Sequence, residues 1–137
     1  MAERGISTVD QAGGGRPARG LSAAAARAEL ERLTTLPANW DMDGSPAPNR
    51  VAIQSAQAIL ETLYGQFGWA ADRIVASAEG GVALVFSRAG RYADIECFNT
   101  GEILAGMSAG AGSPEVWAIG LDKQFETLER LRAFIGT

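Results

Sequence analysis

A chain of 137 residues in which 47% of side chains are hydrophobic can fill one core of ordinary size. It has no histidine, which removes the commonest general base, the Ser-His and Cys-His nucleophile pairs and every histidine-based zinc site. One cysteine excludes an internal disulfide, and no apolar run reaches the ~18 residues of a membrane span, so a cytoplasmic protein with no membrane partner is expected.

Net charge is −4, and it is unevenly spread. Residues 1–20 hold Arg4, Arg16 and Arg19 against Glu3 and Asp10. The remainder holds nine basic and fourteen acidic residues, net −5. An acidic body repels phosphate backbones, so no direct nucleic-acid partner is expected.

Residues 1–20 include Gly13-Gly14-Gly15 and Arg16-Pro17 and few apolar side chains. They read as a disordered tail without the apolar stretch of a signal peptide, leaving 21–137 as a single domain. Ser22 to about Thr35 reads as a helix capped by Ser22, with Leu30 and Leu33 on one face and Pro37 beyond its end. Asn49 to Tyr64 reads as a second helix, capped by Asn49 and stopped by Gly65. Its stripe is Ile53, Ala56, Leu60 and Leu63.

From Arg73 the period changes to two. Ile74 to Ala78, Val82 to Ser87, Tyr92 to Phe98, Ile103 to Ser108 and Glu115 to Ile119 read as strands. Glycine-bearing turns at Glu79-Gly80-Gly81, Ala89-Gly90 and Asn99-Thr100-Gly101-Glu102 force antiparallel neighbours. Asp122 to Ile135 reads as a closing helix capped by Asp122, with Phe125, Leu128, Leu131 and Phe134 or Ile135 inward. The expected fold is therefore α+β: two N-terminal helices, an antiparallel meander of four or five strands and a C-terminal helix, with the helices on one sheet face.

Register assigns the faces. A two-residue loop at Ala89-Gly90 sets Phe86 opposite Ala93, Leu84 opposite Ile95 and Val82 opposite Cys97, an apolar set that should meet the helices. The other face carries Val85, Ser87, Tyr92, Asp94, Glu96 and Phe98. If Thr100-Gly101 closes the next hairpin, Ile103 and Met107 join that face opposite Phe98 and Asp94. Val85, Tyr92, Phe98, Ile103 and Met107 would then surround two carboxylates. Such a mixed face suits a protein partner or a second copy of the chain. The alternative is that the tail or the 106–114 loop covers it.

Three constellations could carry chemistry. Asp94 and Glu96 stand roughly 7 Å apart on one strand face, a spacing a hydrolase could use, though a chain this short offers little room for a cleft. Asn39-x-Asp41-x-Asp43-Gly44 copies the first half of a calcium loop. Calcium needs about six to eight oxygens, including a carboxylate at the loop's last position, where this chain has Arg50. The structural alternative packs Trp40 between the first two helices, lets Asp41 and Asp43 accept from loop amides, and has Gly44 turn the chain. Cys97 falls on the core register and has no base to activate it. The glycines from Gly106 to Gly112 lack the Lys-Ser/Thr pair of a phosphate loop.

The order of these features resembles that of a broad group of small bacterial and phage-borne proteins. Their pattern is a helix, a Trp-Asp-x-x-Gly-x-x-Pro loop, an Ala-rich helix, then an Asp-Gly-Gly hairpin opening a meander. The matching residues here are Trp40-Asp41-Met42-Asp43-Gly44-Ser45-Pro46, then Ala52, Ala56 and Leu60, then Glu79-Gly80-Gly81, with Glu in place of Asp. The resemblance covers roughly residues 25–105. It implies no set activity, and its association is with antitoxin, immunity or anti-defence genes of mobile elements.

By elimination the expectation is a non-catalytic protein-interaction module with no cofactor and no metal. Its site would be Val85, Tyr92, Asp94, Glu96, Phe98, Ile103 and Met107, with Asn39, Trp40, Asp41, Asp43 and Gly44 as a structural loop. The alternatives are a small-ligand or metal-binding module using the Trp40–Asp43 loop, and a histidine-free hydrolase using Asp94, Glu96 or Asp43.

Overall fold

The computed structural model describes residues 20–110 and 112–136. Of the segment expected to be a tail, residues 1–20, all but Gly20 lie outside the described residues. Helix α1 (Ala23–Leu33) starts as its sequence requires, the Ser22 hydroxyl oxygen accepting from the Ala25 amide at 3.0 Å. At its end the Thr34 and Thr35 hydroxyls donate to the carbonyls of Glu31 and Arg32, satisfying groups that the last turn leaves open. Helix α2 (Arg50–Thr62) is capped by Asn49, whose Oδ1 accepts from the Ala52 amide at 3.0 Å.

The stop expected at Gly65 is not where α2 ends. The chain widens into a π-turn, Leu63–Phe67, and stops at Gly68, whose φ of 59° lets its amide reach back to the Leu63 carbonyl. Gly68 takes this left-handed conformation without a Cβ penalty. The extra turn keeps Leu63 buried, and Trp69, just beyond it, stacks on Phe86 with ring centroids 4.2 Å apart.

Five antiparallel strands follow in sequential order, β1 (Arg73–Ser77), β2 (Gly81–Arg88), β3 (Arg91–Phe98), β4 (Ile103–Ala109) and β5 (Glu115–Ile119). The β2–β3 register is the expected one, with Phe86 opposite Ala93, Leu84 opposite Ile95 and Val82 opposite Cys97. All six are buried.

The β3–β4 register is one residue off expectation. The loop is Asn99-Thr100-Gly101 instead of Thr100-Gly101. The Gly101 amide donates to the Phe98 carbonyl, and the Phe98 amide donates to Glu102. Gly101, at φ 96°, supplies the left-handed residue that a three-residue loop requires. Cys97 therefore faces Ile103, Ile95 faces Ala105 and Ala93 faces Met107. A one-residue shift moves a whole strand's side chains to the other face.

A 3-10 turn, Leu121–Lys123, leads into α3 (Gln124–Ile135). Asp122 lies inside that turn and does not cap α3, which has no side-chain cap at its start. Leu128, Leu131 and Ile135 are buried, whereas Phe125 is 46% exposed and meets Phe67 with centroids 4.7 Å apart. Arg88 and Arg91 reach from the β2–β3 hairpin to the Gly136 and Phe134 carbonyls, satisfying the C-terminus of α3.

One apolar cluster joins Leu30 and Leu33 of α1, Ala56 and Ile59 of α2, and Leu128 and Leu131 of α3 to the Val82–Phe86 and Ala93–Cys97 rows of the sheet. The fold is α+β, with a five-stranded antiparallel sheet and a C-terminal helix. No helix of the described residues is long and apolar enough to cross a membrane.

Candidate interaction face

The register places Val85, Tyr92, Asp94, Glu96 and Phe98 on the sheet face opposite the main cluster, as expected. Ile103 and Met107 are not with them. Ile103 is 3% exposed within the cluster, and Met107 packs against it. Their places are taken by Leu104 and Gly106, which stand opposite Glu96 and Asp94. On the far side of β4, Ala118 and Val116 continue the same two rows, and Val116 is 57% exposed.

Strand β3 thus carries an aromatic, two acids and a second aromatic at every other position, from Tyr92 to Phe98. The flanking residues are small or aliphatic: Gly81, Ala83 and Val85 on β2, and Leu104 and Gly106 on β4. The two acids lean apart. Glu96 reaches over β2 to accept from the Ser77 hydroxyl on β1. A Cβ on Gly81 would lie 2.1 Å from the Cys97 carbonyl oxygen, and Ala83 is only 8% exposed. Asp94 leans the other way, so that a Cβ on Gly106 would meet its Oδ1 at 2.8 Å. Its other oxygen accepts from the Tyr92 hydroxyl at 3.4 Å.

Both carboxyls titrate above their ordinary values. For Asp94 the cause is burial, offset in part by the Tyr92 hydroxyl. For Glu96 burial again leads, and the nearby charges of Glu79 and Asp94 add to it against the Ser77 hydrogen bond. Glu79 also accepts from Ser77, at 3.3 Å. One hydroxyl hydrogen is therefore shared between two carboxylates. Among the described residues, none of Glu79, Asp94 and Glu96 has an ion-pair partner within 4.0 Å.

The loop after α1 is built from its own polar groups. Asp41 Oδ1 accepts from the amides of Asp43 and Ser45, and its Oδ2 takes the Ser45 hydroxyl. The Ser45 hydroxyl is the main reason its carboxyl titrates below the usual value. Asn39 Oδ1 accepts from the Gly44 amide at 2.6 Å. Asn39, Met42 and Gly44 take positive φ angles of 63°, 67° and 84°. A cation entering this loop would have to displace those amide and hydroxyl donors. Asp43 is exposed.

Trp40 does not pack into the main core. It is half-buried and donates its indole N–H to the Pro46 carbonyl at 3.1 Å, closing the loop on itself. The core tryptophan is Trp69. The family-like spacing also departs in detail, with Ala47 at the expected proline position and Pro46 and Pro48 on either side.

Sequence reasoning missed Asn99, which joins this loop to the sheet. Its Oδ1 accepts from the Asn49 amide, and its Nδ2 donates to the Ala47 carbonyl, both at 2.9 Å. Its backbone amide donates to Gly80, and its carbonyl accepts from the Asn49 side chain. A Cβ on Gly80 would crowd both Asn99 and Pro46, at 2.9 and 3.3 Å. The Trp-Asp loop and the Glu-Gly-Gly hairpin, distant in sequence, therefore form one contact. Asn49 also caps α2, so the clasp fixes that helix on the sheet. The available signal was an asparagine two residues before a turn glycine, Gly101.

Cys97 is fully buried on the core side, and burial pushes its thiol up to about 12. Among the described residues, concavities lie elsewhere. A groove of about 550 Å³ runs between α1 and α2 over Ala26, Leu30, Ile53 and Leu60. A second, of about 420 Å³, is lined by Tyr64, Trp69, Asp72, Arg88 and Arg132. Comparisons with protein-family models, with curated proteins and with solved structures find no match to this chain.

Proposed function

We propose that the chain is a non-catalytic protein-interaction module of the cytoplasm, its three helices covering one sheet face and the other serving as its binding surface. The observation that carries this reading is the strip Tyr92-Asp94-Glu96-Phe98, bordered by Leu104 and Val116, whereas Val85, expected to belong to the surface, is only 3% exposed and offers a partner no contact area. A face turned only toward water shows cleaner polar alternation than this, and apolar area interleaved with oriented polar groups is how protein interfaces are built. Asp94 and Glu96 lean to opposite sides of β3, Glu96 toward Ser77 on β1 and Asp94 toward Gly106 on β4, which disfavours their acting together on one bond as a hydrolytic pair. The resemblance to accessory proteins of mobile elements points to an inhibitor, antitoxin, immunity or anti-defence role. The occupied oxygens of the Asn39–Ser45 loop disfavour the metal-binding alternative.

The test is affinity capture by the tagged full chain from its host, beside a Tyr92→Ala/Phe98→Ala variant whose melting temperature is measured first. One stoichiometric protein lost in the folded variant supports the reading. Undiminished capture by the variant removes this face as the site.

A further inference from the structure

We propose that the partner of the outer sheet face is cationic, a protein segment that presents arginine side chains in extended conformation. This rests on the reading of that face as the binding surface and names its chemistry. Three carboxylates, Glu79, Asp94 and Glu96, lie along it with no ion-pair partner among the described residues. Their hydrogen-bond donors are neutral, the hydroxyls of Ser77 and Tyr92. Glu79 and Glu96 converge on one hydroxyl that can donate to only one of them. An incoming cation relieves that repulsion, whereas an anion or a nucleic-acid backbone increases it.

The aromatic ends of the strip select guanidinium over ammonium. Tyr92 is 39% exposed, and Phe98 is half-buried at the other end of the same row. A planar guanidinium stacks on such a ring while its fork pairs with the neighbouring carboxylate, which a lysine ammonium cannot match. Alternate residues of a strand project to one face roughly 7 Å apart, so an extended partner with arginine at every other position meets Tyr92, Asp94, Glu96 and Phe98 in step. The charges facing the strip are Arg73 on β1, beside Val85, and Glu79 in the β1–β2 turn. The residues opposite Asp94 and Glu96 on β4 are Gly106 and Leu104, both uncharged.

The probe is the capped peptide Arg-Thr-Arg-Thr-Arg, titrated into the isotopically labelled full chain at low salt and followed by amide chemical shifts. Expected are shifts concentrated at Tyr92–Phe98 and Ser77–Glu79. The affinity should fall about tenfold in Asp94→Asn/Glu96→Gln and be several-fold weaker for the lysine peptide. Shifts centred on the α1–α2 groove, no shifts, or an unchanged affinity in the double amide variant overturn the proposal. The two readings separate cleanly. A captured host partner lost in Tyr92→Ala/Phe98→Ala but kept in Asp94→Asn/Glu96→Gln retains the interface and refutes the cationic partner. Retention in both variants refutes the interface itself.

Discussion

Replacing Asn99 by alanine tests the clasp that binds the Trp40 loop and α2 to the sheet. The substitution removes the acceptor for the Asn49 amide and the donor to the Ala47 carbonyl, both 2.9 Å bonds. It leaves the two backbone bonds of residue 99 in place. Each lost bond strands a partner that the rest of the loop holds partly away from water. At about 1 kcal/mol per bond the expected loss is about 2 kcal/mol. For a domain of this size that lowers Tm by about 6–8 °C and shifts a urea midpoint by about 1 M with m unchanged. Thr100→Ala is the control, since the Thr100 hydroxyl makes one long contact, 3.3 Å to the Glu102 amide, in the same exposed turn. It should cost under about 0.5 kcal/mol. Urea unfolding followed by tryptophan fluorescence gives both numbers. A loss in Asn99→Ala no larger than in Thr100→Ala would refute the clasp.

The β3–β4 register is checked by charge insertion: Ile103→Glu should cost more than about 3 kcal/mol or prevent folding, while Leu104→Glu stays within about 1 kcal/mol, measured by urea unfolding. Ala89 holds φ 51° at the first position of the β2–β3 turn, so Ala89→Asn should raise stability by about 0.5–1 kcal/mol, read as a higher urea midpoint at constant m. Two carboxylates should respond to pH with opposite signs in thermal melts. Asp94 titrates above its ordinary 3.8 when folded, so its ionisation weakens the fold as pH rises; Asp94→Asn should be the more stable protein at neutral pH, the advantage fading toward pH 3.8. Asp41 titrates below 3.8, so its contribution is present at neutral pH and lost in acid; Asp41→Asn should be the less stable protein at neutral pH, the gap closing as pH falls below 3.8. Equal responses from the two variants would contradict both environments.

Much of this architecture is legible in the residues because it is set locally. Ser22 and Asn49 cap the first two helices through their own side chains. The five strands follow from period-two alternation between glycine turns, and the Ala89-Gly90 loop sets the β2–β3 register directly. Tyr92, Asp94, Glu96 and Phe98 follow from that register, so the central strip of the outer sheet face is readable without a structure. What tertiary structure decided turns on distances no local pattern encodes. One extra loop residue at Asn99 moved Ile103 and Met107 into the core and brought Leu104 and Gly106 out, because strand period is two and any odd offset inverts the faces. Trp69 became the core tryptophan and Trp40 did not, because a π-turn ending at Gly68 delivers the former onto Phe86 while the latter closes its own loop. Asn99 acquired its role from residues about fifty positions earlier in the chain. Local chemistry chose the elements and most faces; long-range packing chose which groups meet.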